Sequence, residues 1–120
     1  MAKLLTRDDI LSVDDLPKEQ VYVKVWGGDV IVRGMTGQER DLWEESIQKR
    51  KRDDETFNLE NIRAELLSMV LIDADGKNLF SRKDIEALGK KAADPLTLLF
   101  DVARRLSGVN EEDVEELAKN

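Results

Sequence analysis

Carboxylates are the one reactive group this chain holds in quantity: 26 Asp and Glu stand against 19 Lys and Arg, with no His and no Cys in 120 residues. The missing His and Cys remove the commonest general base, the commonest nucleophile and the two best zinc ligands. What remains is paired-acid chemistry across a cleft or the binding of a hard cation. Most of the acids have a local explanation instead. Asp9, Glu39, Asp84, Asp94 and Asp113 stand at or near expected helix starts, where a carboxylate meets orphan amides and the positive end of the helix dipole. Glu44, Glu45, Glu115 and Glu116 fall on polar helix faces. Asp73, Asp75 and Asp84 take positions 1, 3 and 12 of a calcium loop, but position 5 is Lys77, and the glycine falls at position 4, Gly76, while Asn78 sits at position 6. A helix end followed by a glycine turn accounts for the same residues. Trp26-Gly27-Gly28-Asp29 lacks the lysine and the spacing of a nucleotide loop. The expectation is a protein that is not an enzyme, with no catalytic residues, metal or cofactor.

Charge and hydropathy narrow the partners. A formal net charge of −7 disfavours nucleic acid, because binding to its backbone requires phosphates to be neutralised. The basic run Lys49-Arg50-Lys51-Arg52 is followed at once by Asp53, Asp54 and Glu55, and reads as a solvated helix end. The apolar stretch Leu66 to Ile72 is far too short to span a membrane. The N-terminus turns polar at Thr6 and Arg7, which leaves too short an apolar core for a signal peptide. With 41% hydrophobic residues, the expectation is a single domain over 1–120 that rests on packing, without disulfides, in a cytosolic setting.

The elements that would position these residues are mostly helices, giving an α+β, mainly α-helical small domain of about five to six helices with one N-terminal β-hairpin. Thr6 and Asp9 have capping-box spacing for a helix over 6–12. Val21 to Trp26 and Asp29 to Arg33 form the hairpin, with Gly27-Gly28 as a two-residue turn. That turn pairs Val23 with Val32 and Val25 with Val30, and places five valines on one face. Thr36-x-x-Glu39 caps a helix over 37–50 with Leu42, Trp43 and Ile47 as its stripe. Residues 51–57 read as a flexible connection. Asn58 then caps a helix running to Ile72, the expected centre of the core. Ser81 and Asp84 cap a short helix closed near Gly89, and Asp94-Pro95 starts a helix ended by Ser107-Gly108. A peripheral C-terminal helix is expected over 110–118. The helices 58–72 and 95–107 carry more apolar faces than one core requires. Leu67, Leu71, Leu98 and Val102, with Trp26 beside the turn, are therefore the candidate protein-binding residues. Self-association through the same faces is the competing use.

In its order of motifs the chain resembles the tail assembly chaperones of long-tailed bacteriophages and prophages, a siphovirus-type tail module. The resemblance runs nearly its full length. Its most specific parts are Val25-Trp26-Gly27-Gly28, Met35-Thr36-Gly37-Gln38-Glu39-Arg40 and Leu71-Ile72-Asp73-Ala74-Asp75-Gly76. The resemblance implies a non-catalytic protein, similar in role to the lambda tail chaperones. It would bind the aggregation-prone tape measure protein while the tail tube protein polymerises around it. It would act in the host cell cytoplasm and be absent from the mature virion. Many such proteins have a longer form made by ribosomal frameshifting, and the resemblance implies that this chain would be the shorter. The alternative is a structural tail or head–tail protein retained in the particle.

Overall fold

The computed structural model describes residues 2–53 and 61–109, with the backbone alone for 51–53. The expected cap at Asn58 and the expected helix over 110–118 lie outside the described residues.

Local signals placed most helices where expected. Helix α1 (Arg7–Ser12) begins at a reciprocal box: the Asp9 amide donates to Thr6 Oγ1 and the Thr6 amide to Asp9 Oδ2. Helix α2 (Gly37–Asp53) starts the same way, Glu39 N–H to Thr36 Oγ1 at 3.0 Å and Thr36 N–H to Glu39 Oε1 at 2.9 Å. It runs to Asp53, three residues into the stretch expected as a connection; residues 54–57 of that stretch are outside the described range. Helix α3 (Ile62–Val70) follows. A 3-10 turn at Arg82–Asp84, boxed by Ser81 and Asp84, leads into α4 (Ile85–Gly89). Helix α5 (Ala93–Leu106) starts two residues before the expected position, so Asp94 and Pro95 lie inside its first turn, where an amide has no helical partner to lose. It closes with the Val109 amide on Arg104 O and the Gly108 amide on Arg105 O, and Val109 is buried behind it.

The sheet departs from expectation in two ways. Strands β1 (Lys18–Val23) and β2 (Gly28–Arg33) pair antiparallel with Val21 opposite Val30 and Val23 opposite Gly28. The two-residue turn is not formed. Lys24–Trp26 make a 3-10 turn, and Gly27, in the left-handed region at φ +73°, donates to Val23 O. The four-residue loop moves the register by four, an even number, so each side chain keeps its face. Val23 and Val32 are still buried and Val21 and Val30 half-buried, while Val25 is moved into the loop and exposed. The second departure is β3 (Leu71–Ile72), expected as the end of a helix. It pairs antiparallel with the other edge of β2, Ile31 opposite Ile72 and Val32 opposite Leu71, giving the order β1-β2-β3.

Helix α5 packs on β1, β2 and α3, and α3 in turn contacts α2 and α4. Trp43, Leu66, Leu67, Val70, Leu71 and Leu99 are fully enclosed between these layers. The Trp43 and Phe100 rings meet tilted at 6.1 Å. Gly34 allows the sheet to approach α5, since a Cβ there would lie 2.6 Å from the Leu106 carbonyl oxygen.

Candidate functional site

The polar groups are largely committed to structure. Arg33 reaches Glu39 with two hydrogen bonds, at 2.7 and 2.8 Å, and donates to Met69 O at the end of α3. Partial burial pushes the Glu39 carboxyl up, but the hydrogen bonds from Arg33 and Thr36 and the Arg33 charge outweigh it and hold it below the usual value. The hydrogen bond to Glu39 raises Arg33 in turn. Buried Glu65 accepts from Ser46 and Arg50 at 3.0 Å each, which ties α3 to α2. Asp73 Oδ1 accepts the amides of Asp75 and Lys77, so the would-be calcium ligand forms a turn. Among the described residues no three acids group as a metal site, and no buried side-chain polar atom lacks a partner. No described helix is long and apolar enough to cross a membrane.

What the fold leaves open is apolar. The hairpin loop brings Trp26, 37% exposed, over Phe80, Ala87 and Leu88, with Asp84 and Lys91 at the margin, around a cleft of about 330 Å³. Leu88 forms the floor at 4% exposure. The Asp84 carboxylate is occupied by the Ser81 amide, so it belongs to the wall rather than to any chemistry. A smaller cleft of about 180 Å³ lies between Asn61, Gly89 and Thr97.

Five residues were candidates for partner binding, and the structure divides them. Trp26 lines the larger cleft, and Leu98 is 43% exposed on α5, away from that cleft. Leu67, Leu71 and Val102 are 0%, 1% and 8% exposed. The expectation that they form a surface groove is corrected: α3 packs against α2, α4 and α5, and α5 against the sheet, so these three are core. The cleft residues that sequence reasoning missed are Phe80, Ala87 and Leu88. Leu88 reads only as one side of a short helix, and no local signal marks it as the floor under a hairpin loop.

Residues 13–120 match a family described as phage tail assembly chaperone. Among solved structures, the tail assembly chaperone of bacteriophage HK97 superposes with a TM-score of 0.59 at 24% identity, over 76% of this chain and 85% of that one. At that identity the likeness speaks for the fold. A comparison with curated proteins gives no match.

Proposed function

The chain belongs to the phage tail assembly chaperone family, and on that premise we propose that its client is the tape measure protein, held at the Trp26 cleft. The chaperone role in tail assembly is the family's, and the family is non-catalytic. The observation that carries the client reading is a solvent-facing apolar cleft on a domain in which, among the described residues, no buried side-chain polar atom lacks a partner. A client that must stay soluble before assembly exposes apolar helical stripes. A cleft walled by the aromatic side chains of Trp26 and Phe80 and floored by Leu88 suits such a stripe in the helix-in-groove mode. Aromatic anchors of this kind carry a disproportionate share of binding energy. The net charge of −7 supports solubility of the loaded complex. Release follows when tube subunits take over the same stripes, which makes the tail tube protein a competitor for the client.

On this reading the protein works in the host cytoplasm and is left out of the finished particle. Co-expression with the tape measure protein of the same phage tests it. The expected result is co-purification and a larger soluble fraction of the client, both lost with Trp26→Ala while the helical circular dichroism is kept. A client that stays insoluble, or that binds Trp26→Ala as well as the parent, overturns the cleft assignment. Mass spectrometry of purified virions addresses the rival structural role: a stoichiometric copy number in the particle would favour it.

A further inference from the structure

On the reading that the Trp26 cleft holds a helical client, we propose that it selects an acidic one: an amphipathic helix whose apolar stripe is flanked by carboxylates. Two segments build the cleft. The hairpin loop supplies Trp26, and residues 80–91 supply Phe80, Asp84, Ala87, Leu88 and Lys91. Within those segments Lys24, Arg82, Lys83, Lys90 and Lys91 stand against Asp84 and Glu86 alone, a net charge of +3 in a chain whose total is −7. An acidic protein has built its open apolar cleft from basic segments.

These cations differ from the ones that hold the fold together. Arg33, Arg40, Arg50 and Arg105 each meet a carboxylate, at 2.7, 3.0, 3.0 and 2.8 Å. The five around the cleft are all exposed, and none forms an ion pair with a described residue. Asp84, the carboxylate in the lining, is turned to the Ser81 amide at 2.9 Å and makes no ion pair with Lys91. A lysine at such a place lays its methylene stem along apolar surface and keeps its ammonium in water, where an incoming carboxylate can meet it. A helix seated with its stripe on Leu88 brings the residues beside that stripe to the basic margin. Glutamates there are attracted and lysines repelled. Nucleic acid suits the site poorly, because the floor is apolar and the total charge repels phosphate. The margin acts against the field of the whole chain, which at −7 attracts a basic peptide over long range. At about 0.15 M ionic strength the Debye length is about 8 Å, so a docked helix answers to the charges beside it.

Isothermal titration calorimetry of the full chain at that ionic strength, with two synthetic peptides, tests the sign. The peptides share one leucine stripe at helical spacing and differ only in the flanking residues, Glu in one and Lys in the other. The Glu peptide is expected to bind about three- to tenfold more tightly, the combined effect of a few exposed ion pairs. Lys83→Glu with Lys91→Glu should reverse the order, and Lys83→Gln with Lys91→Gln should narrow the gap, both with the helical signal of the parent. Equal binding, a preference for the Lys peptide, or no binding of either because another segment or a second copy fills the cleft would each overturn the proposal. So would a Glu preference that survives the double charge reversal. Co-expression with the tape measure protein separates this from the client assignment. A client lost with Trp26→Ala but kept with Lys83→Glu and Lys91→Glu leaves the cleft assigned and refutes the charge selection. A Glu-peptide preference beside a client indifferent to Trp26→Ala supports the charge selection and refutes the client.

Discussion

Arg33 shows how a single side chain closes this fold. Its guanidinium joins the end of β2 to the first turn of α2 through Glu39 and caps the Met69 carbonyl of α3, an acceptor the helix itself leaves unpaired. The pair is shielded, with side-chain exposures of 11% and 19%. Arg33→Met strands the Glu39 carboxylate and should cost about 2 kcal/mol, somewhat under the range for a fully buried pair, read as a lower urea midpoint at unchanged slope. The same contact sets an acid dependence. Glu39 titrates lower in the folded chain than in the unfolded one, so its contribution is fully present above the ordinary carboxylate value of 4.5 and is lost as pH falls through its depressed folded value. Glu39→Gln should lower stability most near neutral pH and flatten the profile below pH 4.5, where the parent loses the same contribution. An unchanged acid limb in this variant would assign the sensitivity to other carboxylates.

At the scale of elements, capping decides where helices begin. Thr6, Thr36 and Ser81 were legible because a box needs only two residues three apart, and all three form. Thr36→Ala should cost about 1 kcal/mol in thermal or urea unfolding. Strand pairing was less legible for the opposite reason. Leu66 to Ile72 is apolar on every side, and such a run fits a buried helix or a buried strand equally. The free edge of β2 turns its last two residues into β3. The hairpin loop was misread because Gly27-Gly28 satisfies a tight turn locally, yet only Gly27 takes positive φ and Trp26 is drawn onto Phe80 and Leu88. Gly34→Ala tests how closely the sheet meets α5. Both sides of that contact include backbone, so destabilisation of roughly 1–3 kcal/mol is expected in the same unfolding assay.

For the molecule as a whole, the division between core and surface is the sharpest outcome. Leu67→Ala should destabilise by about 2–5 kcal/mol, whereas Leu98→Ala should stay within about 0.5 kcal/mol. Equal effects in calorimetry would contradict the placement of α3 at the centre and of Leu98 outside. By itself the sequence determined the helical class, the caps, the valine face and the shortage of catalytic groups, because each depends on composition or on neighbours a few residues apart. It marked Trp26 for the cleft but not Phe80 or Leu88, which lie 54 and 62 positions further along the chain. Only the tertiary structure decided which apolar residues were surplus. Leu67, Leu71 and Val102 vanished into the core, and Leu4, Leu5, Ile10 and Leu11 were left bare. Periodicity shows that a face is apolar; what covers that face is settled by how the other elements pack around it.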